Sequence, residues 1–410
     1  MKKAYLIFLL IVISSAINTA CSNPVRQIAS SYTSTQITEN ERSPEFTDGL
    51  FVRGVIKDIS LNGELVAVVT VSGKGYLWGK NENGVIGDGT TQDVPSPYLI
   101  PLDVTFAQIS ASDYNTVAVT DTGAAYAWGG NQYGEYGRDI GEGSLVPQKI
   151  SLDTAVSKFQ TNGHISFLLT DEGEVFRSGW SFDPAAFELD EPDPARYSVP
   201  EFAKVELPAK VTDLFVAGSG AALLAESGEV YYVGMYRTVF GADTQDEFAT
   251  IRFPVPVTKA AVSGGCLVAL GTDRQLYGVG IESKGIFGAD LNAALEQPAP
   301  IRGYESIKDF SLGANCLLAV TEKGTVLGSG YNIFNQVTDT QTTPADSDYI
   351  SEPIEILLEG KVAKVFSGYV SSAAITEDGD CYIWGANYYN QPLFSEPPYT
   401  SAVPKKITVD

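Results

Sequence analysis

The sequence predicts an all-β chain folded as a seven-bladed β-propeller of repeats about 51 residues long, and three observations carry that expectation. A glycine closing an apolar strand recurs at Gly79, Gly129, Gly179, Gly234, Gly280, Gly330 and Gly385, at steps of 50, 50, 55, 46, 50 and 55 residues. Six positions before it stands Gly73, Gly123, Gly173, Gly228, Arg274, Gly324 or Gly379. Three positions before it stands Tyr76, Tyr126, Phe176, Tyr231, Tyr277, Leu327 or Tyr382. Repeats near 50 residues with several strands each are the mark of propellers, whose sheets bury both faces against their neighbours.

Each copy reads as a hairpin. In the second, Val117, Ala118 and Val119 run into a polar turn ending in Gly123, and a second run then places Tyr126 and Trp128 on one face at strand period. The turn glycine supplies the positive φ that a short hairpin loop needs.

Upstream of every hairpin lies a further apolar segment: Val55 to Leu61, Phe106 to Ser110, Val156 to Gln160, Val211 to Val216, Lys259 to Ser263, Ile307 to Leu312 and Val362 to Ser367. A fourth strand is expected from runs around proline at Val146 to Ile150, Pro300 to Ile301 and Pro353 to Leu357, since an edge strand tolerates a missing donor. The last such run, Val403 to Val409, follows the seventh hairpin, and no such run precedes the first. The C-terminal strand is therefore expected to close the ring by completing the first sheet.

Ahead of residues 51–410, assigned to the propeller, Met1 to Ala20 reads as a signal peptide: Lys2 and Lys3, an apolar run from Ala4 to Ile13, then small residues before Cys21. Ten apolar residues are too few to span a bilayer. Thr19-Ala20-Cys21 resembles the lipobox of bacterial lipoproteins, although Asn18 stands where leucine is usual. That resemblance implies lipidation at Cys21; an ordinary secretory signal cut near Ala20 is the alternative, and both export the chain. Residues 21–50 are polar, without apolar periodicity, and are expected to form a flexible tether.

The formal charge of −23 becomes −25 once Lys2 and Lys3 leave with the leader. A field of that sign repels phosphate backbones, so nucleic acid is excluded as a partner class.

The copies resemble the repeats of the regulator of chromosome condensation family, which read as an apolar run followed by Thr-x-x-Gly-x-aromatic-x-Trp-Gly-x-Asn-x-x-Gly-x-aliphatic-Gly. Trp78, Gly79, Asn81, Gly84 and Gly87 match best, Trp128, Gly129, Asn131, Gly134 and Gly137 nearly as well, and Trp384, Gly385 and Asn387 in part. The four middle copies keep the hairpin and lose the tryptophan. The resemblance implies a seven-bladed propeller over residues 54–410. Histidine, frequent in the family just before the first hairpin strand, is replaced by Leu65, Asn115, Ile165, Gly220, Cys266, Cys316 and Ser371. Guanine-nucleotide exchange, a property of particular nuclear members, is not carried over. A secreted bacterial β-lactamase inhibitor with a similar propeller gives a precedent for binding an extracellular enzyme. Kelch repeats would need a Gly-Gly pair in every unit, whereas Gly129-Gly130 and Gly264-Gly265 are isolated.

Few residues point to chemistry. His164 is the sole histidine and is read as a loop residue beside Gly163. Cys266 and Cys316 fall at one repeat position and are read as reduced core thiols, with a disulfide as the alternative; Cys381 is read as core. Asp88, Asp139, Asp243, Asp290 and Asp339 recur after the hairpins, one per blade, which suits turn stabilisation better than calcium. No metal, cofactor or catalytic set is assigned. Acidic insertions at Ser181 to Glu201 and Thr338 to Glu352 are expected on one side of the ring.

The candidate binding rim consists of Tyr133, Tyr136, Tyr236, Phe240, Tyr331, Phe334, Tyr388 and Tyr389, aromatic residues that follow the hairpins. Those not packed between blades would form a recognition patch. The leading expectation is a non-enzymatic, monomeric, lipid-anchored module at the cell surface that binds an extracellular or envelope protein. The alternatives are an enzyme processing polysaccharide or peptide at the channel mouth, and a structural surface component.

Overall fold

The computed structural model describes residues 51–141, 143–181, 193–218, 220–242, 248–281, 285–287, 294–314, 316–338, 348–386 and 400–409. The expected leader, Cys21 and tether lie outside them.

Seven antiparallel sheets follow one another along the chain, each ordered as an inner, second, third and outer strand. In the first blade these are Ile56–Asn62, Leu65–Thr70, Gly75–Gly79 and Val94–Leu99. The second strands are buried on both faces, as in Asn115–Thr120 and Ile165–Thr170. Such strands have no solvent face because each sheet is sandwiched between two others.

The core lies between the blades. Seven apolar clusters join blades one and two, two and three, and so on around to seven and one, where Ile56, Val66 and Trp78 pack with Ala373, Ile383 and Ile407. A cluster at the last interface is what closes a ring rather than a spiral.

The turn glycines behave as expected. Gly123 has φ of 77° and its N–H bonds Thr120 O at 3.0 Å; Arg274, at the one position without glycine, still adopts φ of 65°. The turn geometry belongs to the repeat, and arginine there bears its cost.

Closure differs from the expectation in one respect. The C-terminal strand, Thr400–Val409, is the outer strand of the seventh sheet, and Phe51–Val52 adds to it in parallel as a fifth. It seals the ring, but it does not complete the first sheet, whose outer strand is Val94–Leu99. That strand carries Pro95 and Pro97 and is largely exposed, so it shows neither the alternation nor the apolar run of a typical strand.

The inner strands, Phe106–Ala111, Val156–Thr161, Val211–Ala217, Val257–Ser263, Ile307–Leu312 and Val362–Ser367 with Ile56–Asn62, each begin with the same bulge against the second strand. The bulge presents their third residue toward the neighbouring inner strand: Asp58, Gln108, Lys158, Asp213, Lys259, Asp309 and Lys364. Lys158 Nζ meets Asp213 Oδ1 at 2.5 Å and Lys259 Nζ meets Asp309 Oδ1 at 2.6 Å. Two residues further on, side chains accept from the backbone of the next blade: Ser60 Oγ from Ala111 N at 3.1 Å, Gln160 Oε1 from Val216 N at 3.0 Å, and Ser311 Oγ from Ser367 N at 2.9 Å. Inner edges that would otherwise expose unpaired donors are thereby stitched blade to blade.

Candidate functional site

Because strands alternate in direction, the loops joining inner to second strands and those joining third to outer strands emerge on the same rim. The two kinds meet at the closing glycines. Gly130 N bonds Tyr114 O at 2.6 Å, Trp180 N bonds His164 O at 2.8 Å, and Lys80 N bonds Glu64 O at 3.1 Å. Gly129, at φ of 93°, is required there: a Cβ would lie 2.8 Å from Tyr114 O.

The long loops are stapled internally by the repeat asparagine. Asn81 Oδ1 accepts from Ile86 N, Asn131 Oδ1 from Tyr136 N and Asn332 Oδ1 from Val337 N, each at 2.9 Å. One loop carbonyl then clamps the following blade. Val85 O accepts from Trp128 Nε1 at 2.7 Å and Thr116 Oγ1 at 2.8 Å, and Gln336 O accepts from Trp384 Nε1 at 2.9 Å and Ser372 Oγ at 2.7 Å. The repeat tryptophan is thus a loop anchor as well as core. The described loops of the rim are held on a rigid scaffold, the arrangement that favours recognition.

The sequence-predicted aromatics divide by register. Tyr136, Phe240 and Phe334 are buried. Tyr136 occupies the place of Ile86 and Val337, Phe240 packs edge-on to Tyr232 at 4.7 Å, and Phe334 lies 6.1 Å from Tyr331. Tyr133, Tyr236 and Tyr331 stay half-buried on the rim. Tyr331 lies against Tyr349 at 5.3 Å, and Tyr236 covers Gly265. Tyr388 and Tyr389 lie outside the described residues.

Tyr133 belongs to a larger group that the sequence did not single out. Its ring stands 5.0 Å from Trp180 and 5.4 Å from His164, and His164 in turn stacks 4.7 Å from Tyr114. Tyr114 is 40% exposed. Gly163 creates its seat, since a Cβ there would come within 2.9 Å of the Tyr114 ring. The histidine is therefore part of an aromatic stripe, and burial pushes its imidazole below the usual range. The signal for Tyr114 was its place in a short loop between two strands of known register.

Carboxylates lie beside and beneath the stripe. Asp113, exposed in area yet crowded by facing loops, sits over Gly63, with Asn83 Nδ2 donating to its backbone O at 2.8 Å. Burial raises its carboxyl, and raises that of Glu64 to about 6. Lys80 stands 3.6 Å from Glu64 and 3.2 Å from Glu82. Beneath Tyr133, the fully buried Glu135 accepts from Tyr133 N at 3.0 Å, and burial lifts it to about 7.

The remaining candidates take structural places. Asp88 Oδ1 accepts from Thr90 N at 2.9 Å and Asn81 Nδ2 at 3.2 Å, an Asx turn that braces the loop. Asp139 contributes its backbone carbonyl to Asn131, while Asp243, Asp290 and Asp339 lie outside the described residues. Cys266, Cys316 and Cys381 are buried with no disulfide among them, and burial drives the Cys316 thiol up to about 11. Among the described residues no group of three or more His, Cys, Asp or Glu is placed to hold a metal. The acidic insertions both join third to outer strands and so belong to this rim; residues 182–192 and 339–347 of them lie outside the description.

A closed seven-bladed propeller with stapled loops and an aromatic stripe on one rim is a scaffold of the recognition class. Its repeats are RCC1-like: family models described as the regulator of chromosome condensation (RCC1) repeat match residues 72–119, 106–135 and 362–391. It is 30% identical over 113 residues to the RCC1 domain-containing protein RUG3 of Arabidopsis thaliana, covering 27% of this chain and 25% of that one. It is 27% identical over 137 residues to the human X-linked retinitis pigmentosa GTPase regulator, covering 33% and 13%. The matches thus span a quarter or less of these relatives. Among solved structures, the complex of Kap60 with yeast RCC1 (Prp20) contains a chain similar at TM-score 0.70 and 16% identity, over 92% of this chain and 91% of that one. Human WBSCR16 is similar at TM-score 0.66 and 18% identity, over 78% and 86%. At such identities the likeness concerns the fold.

Proposed function

We propose that this chain is an exported protein-binding propeller, held at the cell surface by lipid on Cys21, that engages an extracellular or envelope protein through the rim described above. The observation that carries the reading is the stripe Tyr114–His164–Tyr133–Trp180, half-exposed aromatic surface on loops held by backbone hydrogen bonds and by Ser178 Oγ donating to Glu135 O. Tyrosine and tryptophan offer large contact area at small entropic cost, and ordered loops lose little freedom on binding. The similar yeast protein RCC1 (Prp20) is bound to Kap60 in one structure and has binding properties to Gsp1p and histones, which supports the class of function. The apolar leader ending in Thr19-Ala20-Cys21 supports export and anchoring.

The test is chemical cross-linking on the surface of the parent cell, with the mature chain as bait and mass spectrometry as readout. A partner cross-linked to the loops of this rim is expected, and cross-links confined to the opposite rim would refute it. Metabolic labelling with a palmitate analogue is expected for the wild type and absent in Cys21→Ser. A second reading, an enzyme processing polysaccharide or peptide at the channel mouth, draws on the two crowded carboxyls of Glu64 and Asp113. Turnover of a glycan or peptide library, abolished in Glu64→Gln, is the result that would favour it.

A further inference from the structure

The short loops between inner and second strands surround the channel mouth, and their side chains are unevenly shared. Across blades four to six the described positions are Gly218, Gly264, Gly265, Gly313 and Ala314, so among the described residues that side of the mouth presents only glycine and alanine. Across blades seven, one, two and three stand Tyr369, Glu64, Asp113, Tyr114 and His164 in unbroken succession. Tyr369 and Tyr114 are 38% and 40% exposed, among the most exposed large aromatics described.

The arc is built, because each member leans on a glycine or its neighbour in the adjacent blade. Gly368, beside Tyr369, lies so close to the first blade that a Cβ would sit 2.9 Å from Leu61 Cβ. Gly63 underlies the Asp113 carboxylate, where a Cβ would sit 3.1 Å from Oδ1, and Gly163 underlies the Tyr114 ring. His164 completes it by stacking on Tyr114 at 4.7 Å. A larger residue at Gly63 or Gly163 would press on Asp113 or Tyr114.

Charge then selects the occupant. Lys80 is bridged to Glu64 and Glu82 and also faces Asp113, so one cation is shared among three carboxylates and the arc keeps an excess of negative charge, in a chain of net charge −23. The faces of aromatic rings and adjacent carboxylates both attract cations, and a partly desolvated site strengthens both attractions. An apolar or acidic partner would strip water from Asp113 and Glu64 without compensating their charge. Anionic lipid surfaces are repelled by the same field.

Resting on the rim reading above, we infer that the arc from Tyr369 through Glu64, Asp113 and Tyr114 to His164 docks a basic segment of a partner protein, with one basic side chain laid on Tyr114 and another paired with Asp113. An arriving cation would offset by attraction the burial that raises the Glu64 and Asp113 carboxyls.

The test uses a random library of displayed twelve-residue peptides selected on the full mature chain, followed by affinity measurements with individual synthetic peptides. Enrichment of arginine or lysine is expected. Affinity should fall about tenfold or more in Tyr114→Ala and in Asp113→Asn, fall again as salt is raised, and survive in Tyr114→Phe, which keeps the ring. Glu377→Gln, in a hairpin turn on the opposite rim, should bind as the wild type does. Selection of acidic or uncharged peptides, or basic peptides bound equally by all variants, would overturn the inference. A cross-linked cell-surface partner whose affinity ignores Tyr114 and Asp113 but depends on other loops of the rim would overturn it too, while leaving the rim reading intact. If no partner cross-links to the rim at all, both fall.

Discussion

Replacing Glu135 by glutamine isolates the cost of a buried charge in the loop that carries Tyr133. Burial lifts the Glu135 carboxyl from 4.5 to about 7. The folded-state value lies above the unfolded one, so the folded chain binds the proton more tightly. Stability from this group is complete below about pH 4.5 and is lost as pH rises through about 7. At 1.36 kcal/mol per unit, the ionised carboxylate at pH 8 costs about 3 kcal/mol. The sixth blade shows how glutamine fits: Gln336 Oε1 accepts from Phe334 N at 3.0 Å, as Glu135 Oε2 does from Tyr133 N. There the amide Nε2 finds no acceptor among the described residues, a penalty of about 1–2 kcal/mol that the substitution would inherit. Glu135→Gln should therefore be more stable than the wild type by about 1–2 kcal/mol at pH 8, and equal or slightly less stable at pH 5. Urea unfolding of both chains at the two pH values measures the difference. A stability change independent of pH, or a loss at pH 8, would refute the assignment of a desolvated carboxylate.

Three further outcomes are expected. Gly129→Ala forces a Cβ against Tyr114 O at a positive φ and should cost about 2–4 kcal/mol in urea unfolding; a cost below 1 kcal/mol would contradict the close approach. Trp128→Phe removes the hydrogen bond to Val85 O and part of a buried ring, for about 2–3 kcal/mol by the same measurement, and a neutral effect would show that the indole does not anchor the loop. Val52→Asp places a carboxylate in the closing seam, where Val52 is fully buried, and should hasten limited proteolysis by opening the ring; unchanged proteolysis would mean that the short parallel pairing does not hold it shut.

The hairpins were legible because two spacings recur and each has a steric cause: the turn needs a positive φ, and the closing glycine must approach the neighbouring loop carbonyl. The count of blades follows from them. Val94–Leu99 escaped notice because two prolines and solvent exposure erase the pattern of a strand, and without it the C-terminal run was allotted to the first sheet instead of the seventh. Among the loop aromatics, Tyr136 could have been placed inward from sequence, since it aligns with Ile86 in a repeat whose register demands an aliphatic residue. Tyr114, Tyr369 and Glu135 were less accessible. Their roles depend on which short loops face the channel mouth and which glycines lie beneath them, information held by the packing of adjacent blades and by no single repeat.

The charges carried by the inner strands have a consequence of parity. Starting at Lys158 and moving around the ring, the signs run plus, minus, plus, minus, plus, minus to Asp58, and then comes Gln108. Perfect alternation is impossible on an odd circle, because two like signs must meet somewhere. An uncharged amide at the meeting point removes the conflict, and Gln108 spends its oxygen on Phe159 N across that junction. An even number of blades would need no such neutral member, so the oddness of the count is written into the girdle as well as into the repeats.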